Sequence, residues 1–435
     1  MIEAAIGFAA LFALVLIRVP VALAMILVGT AGFAALRNWN AALNLLGSTA
    51  FDTGLSFTLS VIPMFILMGN LLTISGVSQS LFAAANAGLY RLHGGLAMAT
   101  VVACGGFSAV CGSSLATAAT MSKVAMPSMR KVGYADSLAT GAIAAGGTLG
   151  ILIPPSVILI IYGLITEADI GKLFVAGIIP GLIGILFYMG AVVVAVRLKP
   201  GLAPQAREAP ILTKRDLWGV LAVLGLFLVI MVGIYGGFFT PTEAAGIGAA
   251  TALLIALMAG GLTWSKLFTA GVNCARTTAM IFAIIIGAEV FANFVSYAGL
   301  PDAILSWVTS LDVNPYMVML VLVLIYVILG AVLESLSMIL LTVPIFFPLV
   351  TSLDFGAGLL SDPEMVVIWF GIIVVVVTEI SLISPPIGLN VFVLRSVLPD
   401  VPLRTIFAGI LPFWGADIVR LVLLIAVPAL SLMLL

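Results

Sequence analysis

Two clusters of small oxygen-bearing residues interrupt otherwise apolar sequence, and they resemble one another. The first joins Ser108, Gly112, Ser113 and Ser114 to Thr148, Gly150, Pro154 and Ser156; the second joins Gly330, Glu334, Ser335 and Ser337 to Thr378, Ser381, Ser384 and Asn390. Hydroxyl, amide and backbone carbonyl oxygens are hard ligands, suited to an alkali cation rather than a transition metal. Each cluster contains a Pro-Pro pair, Pro154-Pro155 and Pro385-Pro386, which cannot continue a helical hydrogen-bond ladder. Backbone freed in this way is tolerated at membrane depth only where it faces protein or a wet cavity. Broken helices in matching halves of a chain point to a transport site, with helix N-termini favouring anions and C-terminal carbonyls favouring cations. The expectation is two near-symmetric sodium sites, made by the two clusters, flanking one substrate site that draws on Ser113, Ser156, Ser337 and Asn390. The alternative is that these small residues only permit close helix packing.

The elements that must hold such sites follow from composition. The 435-residue chain is 63% hydrophobic and 8% charged, with a mean hydropathy of +1.33. A soluble domain carries about 25% charged residues. The chain therefore reads as an all-α polytopic membrane protein with room for roughly ten to fourteen spans of about 20 residues. A net charge of −1 gives no sign of a nucleic-acid partner. Cys104, Cys111 and Cys274 lie in apolar stretches and read as core residues. His93, the one histidine, stands at a segment end, so neither a metal cluster nor a hydrolase dyad is in view. The first apolar run reads as a membrane helix rather than a cleaved leader.

Apolar runs predict helices over 4–17, 20–36, 57–74, 137–165 and 180–196, and again over 217–236, 241–260, 277–297, 365–394 and 413–434. Regions 95–127 and 315–350 are too long for one span, carry small polar residues at their middles, and read as re-entrant helical hairpins. Segments 38–54, 170–179, 262–275 and 402–411 read as interfacial amphipathic helices or as connecting loops. Matching strings, such as Ala176-Gly177-Ile178-Ile179-Pro180 and Ala408-Gly409-Ile410-Leu411-Pro412, keep their order in both halves. The chain thus divides into a first repeat, 1–198, a linker, 199–215, and a second repeat, 216–435. The linker region holds Arg197, Lys199, Arg207, Lys214 and Arg215, which places it in the cytoplasm. Asp302, Asp312, Asp354, Asp362 and Glu364 then fall in external loops. Five crossings per half put both termini outside and make the repeats inverted.

Five carboxylates lie in apolar helices: Glu243, Glu289, Glu334, Glu379 and Asp417. A lone charge at the bilayer centre costs about 2.5–3.5 kcal/mol. Asp417 and Arg420 are spaced to pair on one helix face, and Glu243 follows Thr240-Pro241-Thr242 as a cap. Glu334 and Glu379 stand where they can assist cation binding or proton coupling.

Thr240-Pro241-Thr242-Glu243-Ala244, Gly112-Ser113-Ser114, Gly133-Tyr134, Leu149 to Ser156, and Ser384 to Asn390 together resemble the large membrane subunit of tripartite ATP-independent periplasmic (TRAP) transporters. The resemblance spans nearly the whole chain. It implies a sodium-driven importer of carboxylates in the bacterial inner membrane, with no organic cofactor. It also implies a separate small four-helix membrane subunit, a periplasmic substrate-binding protein, and an elevator movement of a hairpin-bearing domain. Ser381 and Thr378 depart from the family's usual Gly and Asn. Other readings are a stand-alone sodium–carboxylate symporter and, from a different class, an intramembrane enzyme.

Overall fold

The computed structural model describes residues 2–204, 211–311, 313–356 and 358–435. Arg207 of the linker and Asp312 of the expected external loops lie outside them. Twenty α-helices and no strands occur among the described residues. The first half contains α1 (Ile2–Leu16), α2 (Val21–Leu36), α3 (Trp39–Leu55), α4 (Val61–Ser75), α5 (Val77–Leu89), α6 (Gly95–Cys111), α7 (Ser114–Val132), α8 (Asp136–Thr148), α9 (Val157–Thr166) and α10 (Ile170–Leu198). The second contains α11 (Lys214–Tyr235), α12 (Pro241–Met258), α13 (Trp264–Tyr297), α14 (Leu300–Ser310), α15 (Pro315–Gly330), α16 (Ser335–Thr351), α17 (Pro363–Ile383), α18 (Leu389–Val397), α19 (Leu403–Ala426) and the short α20 (Ala429–Leu432). Seven stretches are long and apolar enough to cross a membrane: 58–75, 170–198, 214–235, 241–258, 264–297, 363–383 and 403–426.

Local signals start the helices. Thr213 and Asp216 form a reciprocal capping box at α11, and Thr240 and Glu243 form another at α12, where Pro241 takes the first turn. Glu243 Oε2 accepts from Thr240 N at 2.8 Å and from Thr240 Oγ1 at 2.9 Å, so its role as a cap holds.

Packing divides the helices into two bodies. Helix α13 lies on α2 and α4, α12 on α4 and α11, and α1 on α2. In the other body α8 meets α6, α7 and α19; α10 meets α19 and α17; and α17 meets α15 and α16. Helix α17 is the centre of the second body, with 94% of its apolar window buried. The two bodies meet directly where α13 lies on α16 and α4 on α6, and helix α5 also bridges α11 and α6, as α14 does α13 and α16. Helices α5 and α14, each following a glycine (Gly76, Gly299), answer to 77–89 and 300–310, which the apolar pattern left unassigned.

Three of the four expected interfacial segments are not separate helices. From Trp264 the expected segment 262–275 runs unbroken into 277–297 as α13, because no glycine or proline stands at the junction. Residues 170–179 continue through Pro180 in α10, and 402–411 continue through Pro412 in α19. Tertiary packing overrides each proline. Gly177 and Gly181 of α10 press on Leu152 and Ile153, and Gly409 of α19 crosses α8 at Gly141 and Ser137 with backbones nearly touching. Only 38–54 stands alone, as α3. The last span ends at Ala426 rather than 434, where Pro428 follows.

One surface cluster ties the second body together. Arg130 donates to Asp136 at 2.9 and 2.8 Å and lies 2.5 Å from Asp400. The hydrogen bond from Arg130 holds the Asp400 carboxyl below the usual carboxylate range. A depressed carboxyl contributes stability above its unfolded value that is lost as pH falls through its folded value. The melting-temperature advantage of the wild type over Arg130→Gln in detergent should therefore be full at neutral pH. It should shrink on acidification and in high salt. A difference that ignores both would remove this account.

Candidate ion and substrate site

Each Pro-Pro pair contains a cis peptide, Pro154-Pro155 and Pro385-Pro386. In the first half α8 ends at Thr148, a 3₁₀ turn covers Leu149–Ile151, and α9 restarts at Val157. Ser156 caps that restart, accepting from Leu159 N at 3.2 Å and donating to the Ile151 carbonyl at 2.5 Å. In the second half α17 ends at Ile383 and α18 restarts at Leu389.

The helix pairs α6/α7 and α15/α16 each turn over a short tip that meets its own half's break. Gly112 turns the first tip at φ +61°, and a Cβ there would lie 3.0 Å from the Pro155 carbonyl oxygen. A Cβ on Gly150 would stand 3.1 Å from the Ser113 carbonyl oxygen. The second tip closes similarly, since a Cβ on Gly330 would collide with Ser381. These contacts bring Gly112, Ser113, Ser114 and Gly150 together at the first tip and break, and Gly330 and Ser381 together at the second.

Most hydroxyl protons at the breaks are already committed to the protein. Thr148 donates to Ala145 O at 2.7 Å. Thr378, Ser381 and Ser384 donate to Val374, Thr378 and Ile380 carbonyls, each at 2.7 Å. Ser337 donates to Glu334 Oε1 at 3.2 Å. A hydroxyl has one proton to give, so these oxygens present only lone pairs to a further ligand. Ser108 Oγ, a hydroxyl, and Asn390 Oδ1, an acceptor, are buried without hydrogen-bond partners, one in each cluster. Buried polar atoms of this kind are rare and call for a ligand or a role. Asn390 meanwhile donates from Nδ2 to Ala144 O at 3.1 Å, so the second break touches the first half's α8.

A cavity of about 340 Å³ opens between the two tips. Its lining includes Asn70 of α4, Ser113 and Ser114, Thr277 of α13, and Glu334 and Ser335. The first residues of α7, α9, α16 and α18, namely Ser114, Val157, Ser335 and Leu389, all border it. Among the described lining residues there is one carboxylate, Glu334, and no Lys, Arg or His. Of the four residues expected at a substrate, only Ser113 borders this space; Ser156, Ser337 and Asn390 are fully buried outside its lining. Asn70 and Thr277 were missed. Nothing in sequence places α4 and α13 opposite the tips.

The expected Asp417–Arg420 pair is present at 2.9 Å. Arg420 also pairs with Glu379. The structure therefore places Glu379 in an ion cluster rather than open to the cavity.

An all-helical chain with membrane-length apolar helices, two broken helices, two tips and a largely apolar cavity carrying a few hydroxyls, one amide and one carboxylate has the form of a multi-pass membrane transport protein. A family model for the DctM component of tripartite ATP-independent periplasmic transporters matches residues 8–430. The chain belongs to this family, the large permeases of TRAP systems. It is 38% identical over 386 residues to the Pseudomonas aeruginosa C4-dicarboxylate TRAP transporter large permease protein DctM, covering 88% of this chain and 87% of that one. It is 31% identical to the Vibrio cholerae sialic acid TRAP transporter large permease protein SiaM, covering 87% and 86% of the two chains. In fold it is similar to the crystal structure of the Alcanivorax borkumensis YdaH transporter, with a TM-score of 0.58, 18% identity, and coverage of 89% and 88%. As a transporter component and not an enzyme, the chain is one part of a tripartite system.

Proposed function

We propose that this chain carries a small organic acid across the bacterial inner membrane, driven by sodium ions bound at the two tip-and-break clusters. The observation that carries this reading is the convergence of four helix starts on one cavity free of basic side chains. Helix N-termini are ready anion sites, so a carboxylate finds its counter-field in backbone N–H groups. At the breaks, Thr148, Thr378, Ser381 and Ser384 offer oxygens whose protons are spent, which suits a cation and disfavours an anion. The relatives named for C4-dicarboxylate and sialic acid fit the same chemistry.

A small membrane subunit and a periplasmic binding protein complete the system and deliver the acid. The Lys/Arg-rich linker, 199–215, lies in the cytoplasm and both termini in the periplasm. Helix order from α11 to α19 parallels that from α1 to α10, with α13 standing for α3 and α4, which supports two inverted repeats. The hairpin-bearing body slides against the α1–α4 and α11–α13 body in an elevator cycle. Asn70 borders both the central cavity and a second one of about 210 Å³ with Lys266 and Asn273.

Uptake by the reconstituted complete transporter under an inward sodium gradient tests the reading. Ser113→Val, Ser114→Val and Asn390→Leu should each raise the sodium needed for half-maximal uptake without abolishing transport, since each removes a small share of the ligands. Unchanged sodium dependence in all three leaves these residues only a packing role. Wild-type uptake indifferent to sodium ends the coupling proposal.

A further inference from the structure

The break in each half is braced by one side-chain pair, and the two braces are made of different chemistry at equivalent positions. Thr148 and Glu379 each stand six residues before the first proline of their Pro-Pro pair. Tyr188 and Arg420 each stand eight residues after the proline inside their long helix, Pro180 and Pro412. In the first half the pair is two hydroxyls, Thr148 Oγ1 and Tyr188 OH, 3.0 Å apart. In the second half it is the Glu379–Arg420 ion pair. Asp417 joins the braces: its Oδ1 lies 2.9 Å from Arg420 Nη2, and its Oδ2 accepts from Tyr188 OH at 2.6 Å. Thr148, Tyr188, Glu379, Asp417 and Arg420 are all fully buried.

We propose that Tyr188, Asp417, Arg420 and Glu379 are positioning residues for cation binding, with Tyr188 aiming the Thr148 hydroxyl and Asp417 linking the two breaks. This rests on the sodium-coupled reading above. The direction of the chain follows from proton counting. Arginine stays protonated and only donates. Asp417, in contact with it, acts as an acceptor and takes the single proton of Tyr188. The tyrosine oxygen then offers lone pairs alone toward Thr148. The Thr148 proton is forked between two protein acceptors, Tyr188 OH at 3.0 Å and Ala145 O at 2.7 Å, and the lone pairs of its oxygen are left for a ligand without protons. A permanent positive charge deep in the body thus fixes, through two bonds, the orientation of an oxygen at the first break. At the second break the same guanidinium holds Glu379, the neighbour of Thr378, directly. The surrounding helices are shaped for this cluster: a Cβ on Gly184 of α10 would collide with the Arg420 guanidinium. The guanidinium carbon also lies 5.7 Å from the Tyr188 ring centroid.

Partners that orient a metal ligand from behind typically change affinity by roughly 10–100-fold when removed. Tyr188→Phe keeps the ring and deletes the oxygen shared by Thr148 and Asp417. In proteoliposomes holding this chain, its small subunit and the loaded binding protein, the variant should need roughly tenfold more sodium for half-maximal uptake. Its maximal rate at saturating sodium and its half-saturation for the acid should match the wild type, so added sodium rescues it. Asp417→Asn, of nearly the same shape, is the second variant and should shift the sodium curve in the same direction. A sodium-dependent wild type with an unshifted Tyr188→Phe curve, or a lowered maximal rate that sodium does not restore, overturns the positioning role alone. A failure of both variants to fold overturns it too, since the bonds are then structural. A wild type that ignores sodium overturns the underlying reading and this inference with it, which separates the two failures.

Discussion

Proteoliposomes containing only this chain should show no sodium-driven uptake of C4-dicarboxylates or other small organic acids above empty vesicles. Adding the small membrane subunit and the loaded binding protein should switch transport on. The family to which the chain belongs is tripartite, and the molecule shows why one part would not suffice. Its longest hydrophilic stretch, 197–216, is too short to form a domain that captures a ligand from dilute solution. On the body built from α1–α4 and α11–α13, Leu23, Leu27, Leu217, Leu221, Leu224, Leu254 and Leu257 leave apolar surface uncovered, each between 46% and 59% exposed. Surface of that kind meets lipid or a partner helix. If the other body moves, this one has to be held against it, and a second subunit widens the anchor. Robust uptake by the lone chain under a sodium gradient would instead favour a stand-alone symporter of the same architecture.

Much of this architecture could be read from the residues, because its signals are local. Pro-Pro inside an apolar run dictates a break, and both breaks lie where Pro154-Pro155 and Pro385-Pro386 stand. Thr240-Pro241-Thr242-Glu243 dictates a cap, and the capping box is there. Signals that depend on packing misled. Pro180 and Pro412 look like helix boundaries, yet α10 and α19 run through them because glycines on the same helices let their middles press against α8 and the first break. Helices α5 and α14 were hidden by low hydrophobicity, since each spans the gap between two bodies rather than a bilayer. The site split in the same way. Sequence order groups each tip with its own break, but which face of the cluster meets the cavity depends on side-chain direction. Ser156 and Asn390 are bonded to backbone carbonyls away from the cavity and Ser337 stands behind Glu334, donating to it, while Asn70 and Thr277 arrive from the opposite body. The spacing of Asp417 and Arg420 foretold their pair, but a partner forty-one residues away, Glu379, has no signature in spacing.

Gly150→Leu should nearly abolish sodium-driven uptake, while Gly246→Leu should leave it close to wild type. Gly150 sits in the 3₁₀ turn at the first break, and a Cβ there would stand 3.1 Å from both the carbonyl carbon and oxygen of Ser113 and 3.2 Å from Ser114 N. These are backbone atoms of the tip, so no side chain can swing aside. Gly147 presses on the same helix, since a Cβ there would stand 3.0 Å from Ala118 Cβ and 3.2 Å from Ser114 O. Overpacking of this kind costs typically about 1–3 kcal/mol, which a large helical body survives as a lowered melting temperature. The functional cost is greater, because a leucine drives the tip away from the break and separates the oxygens that the proposed cation site requires to be near each other. Affinity for a bound ion falls by roughly tenfold or more when its ligands lose their placement. Gly246 lies on α12 with nothing within 4 Å of its would-be Cβ, so the same added side chain meets no protein there. Measuring uptake and thermal melting together separates site damage from general unfolding. A Gly150→Leu protein that melts lower yet transports at the wild-type rate would mean that the first tip and break need not touch at any step of the cycle.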